Sequence, residues 1–279
     1  MDLYKIVADS SADVLSLSDT PFASAPLTII TAETQYVDDS NLDVEAMVLG
    51  LANYKGRSQT SCPNPSDWLK AFGDAQHIFC IAITATLSGS YNAAVVAKEM
   101  YEELYPDRKV FVINSLSTGP ELKLLIEKIE RCIKEGMNFD AICDAVTAYS
   151  SHTHLLFMLE SMKNLANNGR INPLLAKATG LLGIRVVGRA SDVGDLQPIE
   201  KCRGQSKALQ CMVTQMKAQG LKAKSKVRIS HCLNEEAANK LKELLLHDYP
   251  DMDIAIYPCR GLCSFYAEQG GLLVGFESC

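Results

Sequence analysis

The sequence has little that would tie it to a membrane, to nucleic acid or to a metal. Its 279 residues contain no apolar run long enough to cross a bilayer, and the opening MDLYKIVADSS lacks the apolar segment of a secretory signal. The net charge of −6 provides no broad basic surface, which argues against nucleic acid as a partner. The five histidines form no metal-binding motif. We therefore expect a cytoplasmic protein without a metal or other cofactor.

The motifs of two common enzyme classes are also absent. There is no GxxxxGK[ST] phosphate loop for phosphoryl transfer, and no GxSxG nucleophile elbow. Ser88-Gly89-Ser90 lacks the flanking glycine of that elbow, and only His77 is near it in sequence. A binding protein without catalytic residues is therefore the better hypothesis. Because distant residues could complete a site in space, a hydrolase or transferase acting on a small acyl or carboxylate substrate is the alternative.

What the sequence does contain is an alternation of strands and helices. Apolar strand-like runs alternate with helix-compatible runs up to about residue 150, which predicts a parallel sheet covered by helices on both faces. Beyond that point, strand pairs are interleaved with helices, which predicts a mixed or antiparallel sheet. We therefore predict an α/β protein with a three-layer α/β domain (residues 1–153), an α+β domain (residues 154–279) and a ligand cleft between them.

The individual elements follow from the same patterns. Strands are predicted at residues 4–8, 26–30, 78–83, 109–113, 154–158, 183–187, 195–201, 226–232, 253–257 and 272–276. Helices are predicted at residues 44–54, 67–72, 91–103, 121–135, 139–150, 159–165, 205–220 and 234–248. Residues 36–39 are predicted to form a hairpin or edge element, and residues 60–65 a loop.

Three clusters of hydroxyl residues occupy predicted loops of the first domain. The central one, residues 84–90, joins a strand to a helix, and the others are residues 59–63 and 114–119. The carboxyl ends of parallel strands are the usual ligand site of such a sheet, and the first amides of a helix favour an anion. Plain helix caps would also explain single Ser and Thr residues. Three clusters at one edge favour a site for an anionic group.

Several of these segments resemble the motifs of the DegV family. The matching segments, in the family's order and with about its spacing, are residues 9–13 (DSSAD), 60–65 (TSCPNP), 87–93 (LSGSYNA), 112–115 (VINS), 159–171 (ending Gly-Arg-Ile), 182–185 (LGIR) and 201–203 (KCR). The resemblance covers nearly the whole chain. It implies a two-domain protein that binds one long-chain fatty acid in an interdomain tunnel. It also implies that, in bacteria with a partner kinase, the acyl carboxylate is presented for phosphorylation.

The resemblance also implies which residues bind the ligand. By analogy, Thr60 and Ser88 hold the carboxylate and the turn around Gly89 assists, since a buried carboxylate needs hydrogen-bond donors. The full set of ligand-binding residues that we expect is Thr60, Ser61, Ser88, Gly89, Ser90, Ser115 and Arg260. Arg203, in the Lys-x-Arg segment, is implied to lie on the surface that meets the kinase; a solvated strand end is the alternative. The sequence also leaves open a peripheral contact between the protein and a membrane.

The C-terminal segment departs from the family pattern. The family commonly has a His near the carboxylate, shortly before a Gly-Pro-Gly stretch; residues 257–276 contain no His, and Glu268 stands about where it is expected. A carboxylate there would repel a fatty acid unless it were protonated or turned away. Arg260 could offset this through a charge-assisted bond to the ligand, or could be a solvated loop charge. The departure leaves the ligand's identity and the kinase coupling open.

Cysteines offer a third hypothesis. Ten are scattered over apparent core and loop positions, which in a chain of this size favours reduced thiols over a disulfide framework. Cys62, Cys259 and Cys263 could come together near the site as a redox or regulatory module. Small core and loop thiols are the default interpretation.

Overall fold

The structure, a computed structural model, describes residues 4–172 and 183–278. The strands are β1 (Tyr4–Asp9), β2 (Phe22–Ala25), β3 (Thr28–Ile30), β4 (Gln35–Val37), β5 (Gln59–Ser61), β6 (His77–Ala82), β7 (Lys109–Asn114), β8 (Thr153–Leu159), β9 (Ile184–Ala190), β10 (Leu196–Arg203), β11 (Lys226–His231), β12 (Asp253–Pro258) and β13 (Leu272–Glu277). The helices are α1 (Val44–Asn53), α2 (Pro65–Phe72), α3 (Ser90–Leu104), α4 (Pro120–Lys134), α5 (Phe139–Ser150), α6 (Lys163–Asn167), α7 (Gln205–Ala218), α8 (Glu235–Asp248) and α9 (Gly261–Ala267). A 3₁₀ turn, Ser10–Ala12, follows β1.

The first sheet is parallel throughout, in the order β2-β1-β6-β7. Successive side chains of a strand point to opposite faces. Ile6 and Phe79 accordingly pack against α4 and α5, whereas Val7 and Cys80 pack against α2 and α3. The sole tryptophan, Trp68, is fully buried in the second of these layers. The predicted three-layer arrangement is confirmed.

The second sheet has the order β10-β9-β8-β13-β11-β12. Only β11 and β12 pair in parallel among its described strands, so the predicted mixed sheet is confirmed. Leu156 and Met158 of β8 face α7 and α8 on the outer side. Leu155 and Phe157 face inward, toward α1, α6 and α9. Residues from the first half of the chain lie against this inner face.

Helix α4 joins the two sheets, because it packs against β1 and β6 on one side and against β8, β11 and β13 on the other. The approach to β13 is close: a Cβ atom on Gly275 would lie 2.6 Å from the backbone of Pro120 and Glu121. Arg228 of β11 is buried and forms a bidentate ion pair with Glu127 of α4, with both N–O distances 2.7 Å. Glycine and the ion pair together fix this helix between the sheets. The boundary at residue 153 stays a prediction.

Some elements differ from the sequence-based expectations. Residues 59–61 form strand β5 instead of a loop, antiparallel to β3 in the small sheet β4-β3-β5. The helix predicted from residue 159 begins only at Lys163, because Leu159 still belongs to β8. Helix α2 begins at Pro65, two residues before the predicted start at residue 67, because Asn64 caps it and forms a reciprocal capping box with Asp67. Strand β2 and helix α9 were not predicted. Every helix in the described part of the chain is too short or too polar to span a bilayer.

Candidate ligand-binding cavity

A cavity of about 300 Å³ lies between the inner face of the second sheet and the loops of the first half of the chain. Its wall is predominantly apolar: it includes Leu155, Phe157, Leu159 and Leu273 of the sheet, together with Leu165 and Leu262. Residues of β5 and of the β6–α3 turn complete the wall from the other side. A volume of this size falls at the lower end of the range of small-molecule sites, about 300–1,000 Å³. The cavity is in the place where the predicted interdomain cleft was expected.

The polar side chains of the wall form two sets of hydrogen bonds, one between Thr60 and Tyr266 and one made by Arg170. The hydroxyl oxygens of Thr60 and Tyr266 lie 2.8 Å apart, and either can be the donor. Arg170 donates from Nε to the carbonyl oxygen of Leu87 (3.0 Å) and from Nη1 to that of Asn168. Burial raises the pKa of Tyr266, while its bond to Thr60 and the charge of Arg170 oppose that rise. A protonated phenol, a hydroxyl and a guanidinium therefore share one end of the cavity.

The β6–α3 turn contributes the amide end of a helix to the same region. Helix α3 begins at Ser90 without a side-chain cap, and Ser88 Oγ accepts a bond from the Ser90 amide (3.3 Å). The turn approaches the β5–α2 loop closely at Gly89, where a Cβ atom would lie 3.3 Å from Cys62 Sγ. Uncapped amides at a helix N-terminus favour negative charge. This turn and Arg170 make the polar end suited to an anionic group.

Asp9 holds the loops beneath this polar end in place. Its buried carboxylate accepts bonds from the amide and hydroxyl of Ser11, from the Ile83 amide (2.9 Å) and from Ser90 Oγ (2.6 Å). Burial raises the pKa of Asp9, and these four bonds oppose the rise. Asp9 therefore positions the turn and caps the 3₁₀ segment; it does not face the ligand space.

The structure brings four of the seven expected ligand-binding residues to the cavity wall: Thr60, Ser61, Ser88 and Gly89. The other three bond to the protein's own loops and lie outside the wall. Ser90 donates to Asp9, and Ser115 Oγ donates to the carbonyl of Ser117 (3.0 Å).

Arg260 is the third residue outside the wall, because it stands at the cap position of α9 and points to the β4–α1 loop. Its guanidinium donates to the Asp39 carbonyl, and its backbone amide donates to Asp13 Oδ1 (2.7 Å). The expected bond from Arg260 to a ligand has no geometric basis here.

Two residues that the sequence-based set left out, Arg170 and Tyr266, stand in the wall instead. Arg170 lies in a segment that matched the family motif, but the sequence around it does not indicate that its side chain lines the cavity. Glu268 is turned away: its Oε1 accepts from the Asn164 backbone amide at 3.0 Å, and it is not part of the wall. The repulsion considered for Glu268 therefore does not arise in this structure.

The three cysteines proposed as a thiol module do not cluster. Cys62 and Cys263 both reach the cavity wall, but Cys263 Sγ donates to the Ser11 carbonyl (3.3 Å). Cys259 Sγ donates to Ser230 Oγ (3.3 Å). Burial raises the pKa of the Cys259 and Cys263 thiols well above the ordinary value, which makes them less reactive. Within residues 4–172 and 183–278, the three sulfurs do not form a group with metal-ligand spacing.

Two buried carboxylates hold helix α9, and through it one wall of the cavity. Asp38 accepts bonds from the amides of Gly261 (2.7 Å) and Leu262 (2.8 Å) at the start of the helix. Asp13 accepts from the amide of Arg260, the preceding residue. Leu262, Cys263 and Tyr266 of the same helix line the cavity. The acceptors belong to the first half of the chain, so α9 is capped entirely by tertiary contacts.

The pH dependence of stability follows from Asp13. Burial raises its pKa from 3.8 to about 7; the bond from Arg260 opposes this rise, and the charge of Asp38 adds to it. The folded protein thus holds a proton between these pH values that the unfolded chain releases. The stabilisation is complete below about pH 4 and is lost as the pH rises through about 7. We expect Asp13→Asn to make the fall in unfolding free energy between pH 5 and 7 shallower, by up to about 1.4 kcal/mol per pH unit.

Urea unfolding at several pH values checks this expectation. Asparagine keeps the acceptor for the Arg260 amide and tolerates the left-handed backbone of residue 13, where φ is 57°. Glu121→Gln should act in the same direction, because burial raises the pKa of Glu121 to about 7. Asp19→Asn is the control, since Asp19 is exposed and its bond to Lys134 lowers its pKa. A slope in Asp13→Asn equal to that of the wild type contradicts the prediction.

Fold and cavity together define the class: an α/β protein with two large sheets that encloses an apolar cavity with one polar end. The chain belongs to the DegV family, whose model matches residues 4–278. A DegV domain-containing protein of Streptococcus pneumoniae is 42% identical over 278 residues, which cover 98% of this chain and 99% of the relative.

Solved structures of similar proteins contain fatty acids. The Streptococcus pneumoniae fatty acid kinase (Fak) B3 protein, loaded with linoleic acid, is 42% identical, with a TM-score of 0.97 and coverage of 100% of both chains. A DegV family protein from Eubacterium eligens, loaded with heptadecanoic acid, is 41% identical, with a TM-score of 0.97 over 99% of this chain and 100% of the other. A third, from Ruminococcus gnavus with vaccenic acid, is 32% identical, with a TM-score of 0.89 over 98% and 99% of the two chains.

Proposed function

We propose that this protein binds a long-chain fatty acid in the cavity, with the acyl chain against the apolar wall and the carboxylate at the polar end. The observation that carries the proposal is the composition of the wall. Arg170 is the only charged residue among the described residues that form it, and it lies beside the Thr60–Tyr266 pair and the start of α3. A desolvated carboxylate needs such donors, and an acyl chain needs the apolar remainder. The fatty acids in the three similar structures support the same ligand class.

The protein acts, in this proposal, as a carrier and not as an enzyme. Ser88 and Thr60 are the candidate nucleophiles of the wall, and a hydroxyl needs an adjacent base to attack an ester or a phosphate. The described residues of the wall include no His, Asp or Glu that could take its proton. A neutral hydroxyl in this position binds a carboxylate oxygen without reacting. We also propose a cytoplasmic location, which the free thiols of the nine described cysteines suit.

The first experiment is native mass spectrometry of freshly purified protein, followed by denaturation and identification of any released lipid. We expect one fatty acid per chain. Protein that is empty, and that also fails to take up added palmitate or oleate, would contradict the proposal. Release of a shortened or esterified product from a bound acyl substrate would instead favour the hydrolase or transferase.

Thr60 and Ser88 supply the first quantitative test. Thr60→Val and Ser88→Ala each remove a hydroxyl with little change in shape, and each should weaken fatty acid binding by about 1–2 kcal/mol, roughly 10-fold. The dissociation constants are measured by competition with a fluorescent fatty acid. Ser115→Ala is the control, because Ser115 bonds within its own turn and should leave affinity unchanged. Unaltered affinity in both Thr60→Val and Ser88→Ala would remove these residues from the carboxylate site.

We further propose that a kinase phosphorylates the bound acyl group and contacts Arg203. This residue ends β10 and is exposed, as a partner-binding cation must be. The name of the Fak B3 protein, which ties it to fatty acid kinase, supports such a partner. Arg203→Ala should lower the rate of acyl phosphate formation by a fatty acid kinase at least several-fold while leaving fatty acid affinity unchanged. Equal rates of acyl phosphate formation in the wild type and Arg203→Ala would contradict a contact between Arg203 and the kinase.

A further inference from the structure

A cluster of two thiols and a carboxylate lies on the outer side of the second sheet, remote from the inward-facing cavity. Glu200 and Cys202 are two residues apart on β10 and therefore point to the same face, toward α7. Cys211, on α7, packs against this face. One ligand atom from each of the three side chains lies within 4.8 Å of the others. None of the three belongs to the described residues of the cavity wall.

We propose that Glu200, Cys202 and Cys211 bind a thiophilic divalent cation, and that zinc is the ion whose geometry fits best. With zinc–sulfur bonds of about 2.3 Å and zinc–oxygen bonds of about 2.1 Å, a tetrahedral ion separates a sulfur from an oxygen ligand by about 3.6 Å. Cys211 Sγ lies 3.5 Å from Glu200 Oε2. The hydrogen-bonded Cys211–Glu200 pair therefore has the spacing of a thiol–carboxylate edge in a zinc tetrahedron.

The donor set selects the kind of ion. Two sulfurs and one oxygen suit zinc and similar borderline or soft ions, whereas magnesium and calcium require oxygen ligands almost exclusively. Three protein ligands leave the fourth position to water. Cys202 is fully buried while Glu200 is exposed, so an ion and its water reach the site from the Glu200 side.

Lys207 completes the electrostatics of the site. Its Nζ lies 3.7 Å from Glu200 Oε1, the carboxylate oxygen that does not face Cys211. Two thiolates, one carboxylate and a doubly charged cation carry a net charge of −1, which the Lys207 ammonium balances. Lys207 and Cys211 are four residues apart on α7 and therefore share one side of the helix. A single helical face thus presents both a ligand and the compensating charge.

The ion has to displace protons from the thiols. Burial raises the pKa of Cys202, and burial together with the hydrogen bond to Glu200 raises the pKa of Cys211 to about 12. Without metal the pair is protonated, so binding releases up to two protons and is best measured near pH 8. The bound ion would fix the end of β10 to α7, next to Arg203. An effect of the ion on kinase contact through Arg203 is the only consequence that rests on the proposed function.

The test is zinc titration of the reduced, chelator-stripped full-length protein by isothermal calorimetry, with cobalt substitution as the spectroscopic readout. We expect one zinc per chain and, with cobalt, the charge-transfer absorption of a cobalt–thiolate bond. Cys211→Ser and Glu200→Gln change accessible side chains and should each weaken zinc binding at least 10-fold. Cys143→Ser, also a half-buried free cysteine on a helix, is the matched control and should bind zinc like the wild type.

Three results would overturn the proposal: no zinc bound by the wild type, zinc bound equally by Cys211→Ser, or bound cobalt without thiolate absorption. Circular dichroism of each variant establishes that it is folded. Fatty acid affinity should be unchanged in Cys211→Ser, because the two sites lie on opposite faces of the sheet. Failure of the metal site is therefore distinguishable from failure of the fatty acid site.

Discussion

Replacing Arg170 by methionine is expected to weaken the binding of a free long-chain fatty acid about 100-fold. Arg170 is the only cation in the described part of the cavity wall, and Leu87 and Asn168 hold its guanidinium in place. A carboxylate that leaves water for this cavity loses its hydration and receives a charge-assisted bond in return. Truncating one partner of a buried, hydrogen-bonded charge pair costs about 2–5 kcal/mol. The expected loss of about 2.7 kcal/mol lies within that range.

Three comparisons separate the effect of the Arg170 charge on affinity from the other effects of the substitution. The methyl ester of the same fatty acid carries no charge, so its affinity should fall much less in Arg170→Met than that of the free acid. Arg170→Lys keeps the charge but loses the planar donor geometry, and should give an intermediate affinity. Arg260→Met is the matched control, because the Arg260 guanidinium bonds to Asp39 outside the wall. Equal losses for acid and ester, or a larger loss in Arg260→Met, would contradict the assignment of Arg170.

Replacing Asp38 by alanine is expected to lower the free energy of unfolding by about 2–4 kcal/mol. Asp38 is fully buried, and its two oxygens accept from the Gly261 and Leu262 amides. Alanine leaves both amides buried without an acceptor, and each such group costs about 1–3 kcal/mol. Because Leu262 and Tyr266 follow on the same helix, fatty acid affinity should fall as well.

Urea unfolding in the absence of ligand measures this effect. Asp43→Ala is the control: Asp43 caps α1 through a bond to the Ala46 amide, but that cap is exposed to solvent. Its loss should cost only about 1 kcal/mol. Asp38→Asn retains one acceptor oxygen and should lie between the wild type and Asp38→Ala. Comparable losses in Asp38→Ala and Asp43→Ala would mean that Asp38 is not the main anchor of α9.

The larger features of the fold could be predicted from local pattern alone. The alternation of strands and helices identified the parallel sheet, and the strand pairs after residue 150 identified the mixed one. Helix α9 escaped prediction because its stabilising partners are remote: the caps come from Asp13 and Asp38, more than 200 residues earlier. Strand β5 has only three residues and exists through its pairing with β3, which no local property encodes.

The site could be predicted only where its residues lie in recognisable turns. Thr60, Ser61, Ser88 and Gly89 belong to loop motifs, and the structure places them in the wall. Ser90 lies in the same motif, but the buried carboxylate of Asp9 takes its hydroxyl.

Arg170 and Tyr266 reach the wall through contacts across the fold, with Leu87 and Thr60 respectively. For the same reason Arg260 could not be excluded, since its partners lie in the first 39 residues. A charged residue near a ligand in sequence is therefore weak grounds for a bond to that ligand.

The position of β13 has a consequence for how the protein is made. This strand lies in the middle of the second sheet, between β8 and β11, and α9 directly precedes it in the chain. While a ribosome is still translating residues 261–277, the parallel sheet of the first half can already fold, since domains generally fold as units during synthesis. The mixed sheet, however, then lacks a central strand and the cavity lacks one wall. We therefore expect the nascent chain to bind a ligand only after translation has passed β13, and its unpaired β8 and β11 edges to be exposed to aggregation until then.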